Sequence, residues 1–128
     1  MEYQEIRTAH DASVFDRESN GLHDGYLISM DYTHDGYEWG NPLFVDLRKA
    51  RLTLRIMVTS IDNTMVEILF EGVREFQIIE NAYELVDSSV AFSREGLITW
   101  CGDSSTDPEV LHDANYVIAE KMKWKIVA

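Results

Sequence analysis

The sequence is poor in the residues that build covalent or metal-held scaffolds. Its single cysteine, Cys101, excludes an internal disulfide and a zinc site held by paired cysteines, and one unpaired thiol suits a reducing compartment. The two prolines and seven glycines are scattered, so no linker divides the 128 residues. No apolar run approaches the length of a membrane span, and no signal-peptide pattern is found. We expect one soluble, cytoplasmic domain over residues 1–128.

Basic side chains are also scarce. The chain has 11 Lys and Arg residues and 23 Asp and Glu residues, so its formal net charge is −12 at pH 7. Such a charge repels the phosphates of nucleic acids and of anionic membranes, so we expect neither as a partner. It favours a basic protein partner, although a solvated acidic surface is the more common reason for such a balance.

Alternation of apolar and polar residues, which is typical of half-buried strands, dominates the sequence. It is clearest in RLTLRIMV, residues 51–58, and in KMKWKIV, residues 121–127, where Trp124 is predicted to lie in the core. In MVEILFEGV, residues 65–73, Gly72 ends the alternation and predicts a bulge or a tight bend. These segments indicate an antiparallel meander.

Helix signals are limited to two short segments. Asp107 is a suitable N-cap for a helix in TDPEVLHDA, residues 106–114, and Asn20-Gly21 would end another in AHDASVFDRESNG, residues 9–21. We therefore predict a mainly β fold, with α+β as the alternative class. An antiparallel meander sheet, a sandwich and a partly open barrel all fit a single domain with one or two short helices.

Aspartate follows every histidine in the chain. The four pairs are His10-Asp11, His23-Asp24, His34-Asp35 and His112-Asp113. Such pairs can bind a catalytic metal or serve in acid–base catalysis. On a strand, however, neighbouring side chains point to opposite faces, and three of the pairs suit a helix end or a turn. We expect no catalytic residue, no metal site and no cofactor, and we keep a metal-dependent hydrolase that uses these pairs as an alternative.

Motifs for nucleotide binding or nucleophilic catalysis are absent. The chain has no Walker loop, no dinucleotide fingerprint and no nucleophile elbow. Cys101 follows a predicted strand and precedes Gly102, a position that would suit an exposed nucleophile. We expect it instead to be a small buried residue at the end of that strand. We therefore favour a protein that is not an enzyme.

One segment has the composition of a contact surface. In DYTHDGYEWGNP, residues 31–42, large aromatic side chains mix with acidic ones among turn-forming residues. Tyrosine and tryptophan concentrate binding energy in protein interfaces. We predict a loop or hairpin tip that binds a protein partner through Tyr32, Asp35, Tyr37, Glu38 and Trp39. The alternative is that the tryptophan covers the core and the tyrosines fill its edge.

Three segments taken together resemble a recurring pattern. LHDGYLISMDY, followed by RLTLRIMV and VEILFEGVREFQI, resembles small, acidic, β-rich bacterial domains of unassigned function, some of which resemble immunity proteins of polymorphic toxin systems. The resemblance covers residues 22–79 and implies a compact binding protein without chemistry of its own. In it, Asp24 would hold a turn at the start of a strand and His23 would pack nearby. It implies no catalytic residues.

These observations predict a non-enzymatic protein-binding domain, of the immunity type, that covers a basic partner. The charge and the aromatic segment favour this function, and the resemblance agrees with it. Two alternatives are kept: the metal-dependent hydrolase described above, and a structural subunit that self-assembles through exposed strand edges. The identity of the partner and the oligomeric state are left open.

Overall fold

The computed structural model shows a curled antiparallel sheet with one α-helix. It describes residues 2–34, 36–38, 40, 42, 44–45, 49–79, 84–85, 87–103, 106 and 113–127. The elements in these residues are β1 (Gln4–Glu5), α1 (Ala9–Glu18), β2 (Gly25–His34), β3 (Tyr37–Glu38), β4 (Phe44–Val45), β5 (Ala50–Val58), β6 (Thr64–Gln77), β7 (Glu84–Leu85), β8 (Ser89–Phe92), β9 (Ile98–Cys101) and β10 (Tyr116–Ile126). The sheet forms a half-barrel, which confirms the predicted mainly β fold with a short helix.

The large sheet joins two meanders. Its strands are ordered β7-β2-β5-β6-β10-β9-β8, each antiparallel to its neighbours. One meander is β2-β5-β6 and the other is β8-β9-β10, and the long pairing of β6 with β10 joins them. β1 pairs with β10 on the same side as β9, and β3 and β4 form a separate two-stranded ladder. The last strand of the chain therefore lies inside the sheet and not at its edge.

The core consists of side chains that line up across the strands. The register aligns two rows of buried side chains on one face of the sheet, called the inner face: Leu52-Phe70-Met122 and Leu54-Ile68-Trp124. Helix α1 packs over the β10 end of the second row, where the rings of Phe15 and Trp124 have centroids 5.4 Å apart. Trp124 is 2% exposed, which confirms that it lies in the core.

Helix α1 begins at a capping box. The hydroxyl of Thr8 accepts a hydrogen bond from the backbone N–H of Asp11, and the Asp11 carboxylate accepts one from the backbone N–H of Thr8. The helix ends at Glu18, and the chain then forms a 3₁₀ turn over Asn20–Leu22. The second predicted helix, at 106–114, falls mainly outside the described residues. No helix among the described residues is long and apolar enough to cross a membrane.

A bulge beside Gly72 changes which side chains face inward. Gly72 has a φ of +66°, in the left-handed region that favours glycine, and the register between β6 and β10 shifts close by. A Cβ atom at this glycine would lie 2.5 Å from a carboxylate oxygen of Glu120. On β10 the buried positions change phase, from Val117 and Ala119 to Met122. The register shift falls between Val73 and Glu75, so the bulge lies at Arg74, two residues after this glycine.

Candidate functional site

The predicted contact segment, residues 31–42, leads from β2 into a small hairpin. Tyr37 and Glu38 form β3, which pairs antiparallel with β4. Asp35 and Trp39 lie outside the described residues, as do the side chains of Tyr37 and Glu38. Residues 31–34 belong to strand β2 and not to a loop or hairpin tip, and the contact role of Asp35, Tyr37, Glu38 and Trp39 stays a prediction.

Strand β2 carries three exposed apolar side chains. Ile28 is 58% exposed, Met30 is 46% and Tyr32 is 44%. In the part of the chain that the structure describes, the other exposed large apolar side chains are Phe92 and Val127, which lie on different segments. The sequence pointed to Tyr32 but not to its two neighbours, because an alternating pattern does not say whether a strand is covered. These three side chains are called the β2 surface below.

The register explains how the β2 surface relates to the core. Met30 lies opposite Leu54 and Tyr32 lies opposite Leu52, so both side chains extend the buried rows of the inner face by one strand. The helix packs over the far end of these rows and leaves their β2 end exposed to solvent. The ring of Tyr32 also contacts Phe76, with centroids 5.2 Å apart. Met30 and Tyr32 are thus an exposed continuation of the core, and Ile28 adjoins them.

A bulge within β2 decides which side chains share this face. The register with β5 shifts by one residue between Leu27 and Ser29, so Ile28 is an extra residue. Unbroken alternation would put Tyr26 and Met30 on the same face. The bulge puts them on opposite faces, with Met30 on the inner one. The β2 surface therefore begins at the bulge.

Among the described residues, strand β2 also has an edge that is unpaired beyond Tyr26. Strand β5 pairs with it over Gly25–His34, whereas β7 reaches only Gly25 and Tyr26 on the other side. Among the described residues, no strand pairs with that second edge along residues 28–34. This stretch has no Lys, Arg or Pro, and the features in it that protect an edge strand are the bulge at Ile28 and the charge of Asp31. Its open edge can accept a strand from another chain.

The opposite, outer face of the sheet holds a buried carboxylate. Glu67 is 4% exposed; it accepts a hydrogen bond from Arg55 Nε at 2.7 Å and another from the Tyr3 hydroxyl, and Lys125 Nζ lies 3.5 Å away. Burial alone would raise the pKa of Glu67, but the two hydrogen bonds and the nearby cations outweigh burial and lower it. Burial and the bond to Glu67 raise the pKa of Tyr3 to about 12.

This cluster is built for structure and not for proton transfer. The pKa values of Glu67 and Tyr3 both move away from neutrality, so neither group exchanges a proton readily near pH 7. A cleft of about 370 Å³ beside the cluster is lined by Tyr3, Ser29, Asp31, Thr53, Arg55 and Glu67. The partners of the carboxylate come from three separate segments of the chain. The cluster therefore fastens the N-terminal segment to the sheet.

The His-Asp pairs have separate local environments. His10 lies in α1 beside Asp11, whose carboxylate belongs to the capping box. His23 Nε2 lies 3.6 Å from Asp24 Oδ2, and both side chains are more than half exposed. The other two pairs lie partly outside the described residues. Within the described ranges, no group of three or more His, Cys, Asp or Glu side chains could hold a metal ion.

His23 and Asp24 join the start of β2 to the turn that follows β5. The carbonyl of His23 accepts a hydrogen bond from the Ser60 hydroxyl at 2.7 Å. The carbonyl of Asp24 accepts bonds from the backbone N–H and the hydroxyl of Thr59, at 3.3 and 2.8 Å. Asp24 has a φ of 55°, which aspartate tolerates better than most residues. The backbone carbonyls of this pair thus hold the start of β2 to the turn, while both side chains are more than half exposed.

Cys101 is buried at the end of β9. Its side chain is inaccessible to solvent, and burial raises the pKa of its thiol. Since the thiolate is the reactive form, this cysteine lacks both the access and the ionisation that a nucleophile needs. The expectation of a small buried residue at a strand end is confirmed.

Two open grooves flank helix α1. One, of about 570 Å³, lies between the start of the helix and the β8-β9 hairpin, and the other, of about 440 Å³, lies between the helix and β8. They meet at Ala9 and Phe92, which line both. The chemistry of their walls is mixed, with small, apolar and charged side chains, and it does not single out one class of ligand.

No protein-family model, curated protein or solved structure matches this chain. The resemblance of residues 22–79 to immunity-like domains therefore stays an expectation that rests on strand patterns. In the described part of the chain, strand β2 combines exposed apolar side chains with an edge that no described strand pairs beyond Tyr26.

Proposed function

We propose that this chain is a non-enzymatic protein-binding domain and that its partner binds at the β2 surface. The observation that supports this function is the coincidence, on one strand, of three exposed apolar side chains with an open backbone edge. Exposed apolar patches and free strand edges both favour association. A partner that covers β2 would bury the ends of two rows of the core.

The reactive groups among the described residues support binding over catalysis. Cys101 is buried, and Glu67 is held by Tyr3, Arg55 and Lys125. Neither can readily reach a substrate in its chemically active form. The alternative of a metal-dependent hydrolase draws no support from the described histidines. The alternative of self-assembly draws on the same open edge.

The proposed partner is a basic protein, as for an immunity protein that covers a cationic toxin. A net charge of −12 attracts such a partner over a distance and speeds the encounter more than it deepens the affinity. On β2, exposed Asp31 lies between Met30 and Tyr32 in sequence and can pair with a basic side chain across the interface. A single reduced thiol is consistent with binding of the partner in a reducing compartment such as the cytoplasm. Nucleic acid is not part of the proposal.

The experiment compares two matched variants, Met30→Asp and Phe92→Asp. Each replaces an exposed apolar side chain by a charge, but Phe92 lies on β8 at the other end of the sheet order. Wild type and both variants are immobilised and exposed to extract from the native host. Any protein captured by wild type is then purified, and its affinity for each form is measured by calorimetry.

We expect Met30→Asp to weaken binding by about 2 kcal/mol or more, as for an interface hot spot, and Phe92→Asp to leave it unchanged. Asp31→Asn should slow association mainly at low salt, because it removes one of the charges that attract the partner. A purified partner that binds Met30→Asp as tightly as wild type would contradict the assignment of the β2 surface.

A further inference from the structure

We propose that, in the absence of its partner, the chain forms a two-fold dimer in which the open edge of β2 pairs antiparallel with β2 of a second copy. The dimer covers the β2 surface, so a partner has to displace the second copy before it can bind. This competition rests on the proposed function, whereas the dimer itself rests only on the geometry and sequence of β2.

The open stretch of β2 is self-complementary about Met30. If the two-fold axis passes beside this residue, Met30 lies opposite its own copy, and Ile28 lies opposite Tyr32 of the second chain. The Met30 pair and the Tyr32 side chains fall on the inner face, where they continue the buried rows of both sheets, and Ile28 is the extra residue of the bulge. On the outer face, Ser29 lies opposite Asp31 and its hydroxyl can donate to the carboxylate.

The neighbouring register is less favourable. With the axis at Asp31, the two Asp31 carboxylates would face each other directly, and like charges in that position destabilise a strand pair. The same shift would place Ile28 opposite His34 and take it away from Tyr32. The side chains of β2 therefore select the register centred on Met30.

The ends of the pairing are set by the sheet itself. Strand β7 already occupies this edge at Gly25 and Tyr26, so the second copy can pair along residues 28–32, which are symmetric about Met30. An isologous contact of this kind uses the same patch on both chains and closes on itself. The expected product is a dimer and not a fibre.

Charge gives the dimer a signature that separates it from the complex with a basic partner. Two chains of net charge −12 repel each other, and the two Asp31 carboxylates lie diagonally across the new strand pair. Salt screens this repulsion, so the dimer should become tighter as NaCl is raised from about 50 mM to about 500 mM. The complex with a basic partner should become weaker over the same range.

The first measurement is sedimentation equilibrium of the purified protein over a range of concentrations at both salt levels. We expect wild type to dimerise more tightly at high salt, Met30→Asp to dimerise at least about tenfold more weakly, and Phe92→Asp to behave as wild type. Circular dichroism of each variant shows that it is folded. Wild type that stays monomeric at every concentration and salt level overturns the proposal.

The second measurement tests the register by cross-linking with diamide. Cα atoms of directly opposed residues in antiparallel strands are about 4.5 to 5.5 Å apart, which suits a disulfide, so Met30→Cys should form a covalent dimer. Tyr32→Cys is the control, because the same axis separates its two copies by four residues, or about 13 Å along the strands. Buried Cys101 should not react in either variant. Equal cross-linking of the two variants overturns the register.

The two proposals fail in different ways. If the wild-type protein is monomeric and Met30→Asp abolishes partner binding, the dimer is overturned and the proposed function is supported. If Met30→Asp dissociates the dimer but leaves partner binding unaffected, the dimer is supported and the proposed function is overturned. Competition is shown if adding the purified partner converts the dimer into a one-to-one complex.

Discussion

Replacement of Trp124 by alanine tests how the core holds β10 and helix α1 together. The indole is 2% exposed, lies in the row with Leu54 and Ile68, and packs against Phe15 with ring centroids 5.4 Å apart. Truncating a buried tryptophan to alanine typically costs about 3–5 kcal/mol, since transfer energy is lost and a cavity remains. A domain of ordinary stability, about 5–15 kcal/mol, would lose a large fraction of it.

The assay is urea and thermal unfolding followed by circular dichroism. For a domain of this size, each kcal/mol lowers the melting temperature by about 3–5 °C, so we expect a fall of about 9–25 °C. A double-mutant cycle with Phe15→Ala isolates the ring contact, for which we expect a coupling of about 0.5–1.5 kcal/mol. The rest of the loss belongs to burial of Trp124 among the aliphatic side chains of the sheet.

Phe92→Ala serves as the control, because this large aromatic side chain is 41% exposed. Its removal should change the free energy of unfolding much less than removal of Trp124. Equal effects of the two substitutions, or a Trp124→Ala variant that melts with the wild type, would refute the description of the core. A normal stability loss with no coupling to Phe15 would refute only the packing of α1 on β10.

Two further substitutions probe the outer face and the bulge. Because the folded-state pKa of Glu67 is lowered, its charged form stabilises the fold above the unfolded pKa of about 4.3, and this contribution is lost as pH falls through the folded value. Glu67→Gln should therefore cost about 1–3 kcal/mol at pH 7, and the difference from wild type should shrink in unfolding measured at about pH 3; a constant difference would contradict it. Gly72→Ala should cost more than Gly96→Ala, since both glycines have positive φ but only a Cβ at Gly72 meets Glu120; equal losses in urea unfolding would exclude that clash.

Much of the fold could be predicted because it depends on residues that are neighbours in sequence. Strand β5 alternates strictly and β10 alternates on either side of its change of phase, and a half-buried strand is the structure that buries every second side chain. Gly72 indicated a bulge because few other residues adopt a positive φ, and the bulge lies two residues after it, at Arg74. Cys101 and Trp124 were predicted to be buried from their places at the end of, or within, an alternating run, and both are.

The candidate site could be predicted only in part. Tyr32 was identified from the aromatic composition of its segment, but Ile28 and Met30 have the same alternating pattern as buried residues elsewhere. No glycine marks the bulge in β2 in the sequence, so the change of face between Tyr26 and Met30 was not predicted. Nothing local distinguishes an exposed strand from a covered one.

The sequence by itself determined the class of the fold, the positions of its long strands, its acidity and its lack of common catalytic motifs, since these follow from local periodicity and composition. Only the tertiary structure decided that, among the described residues, β2 is unpaired on one edge beyond Tyr26, because this depends on how far distant β7 reaches along it. It likewise decided that Glu67 is buried on the outer face, through Tyr3, which lies 64 residues away in the chain. Contacts between segments so distant in sequence are set by strand order, which a period-two pattern does not specify.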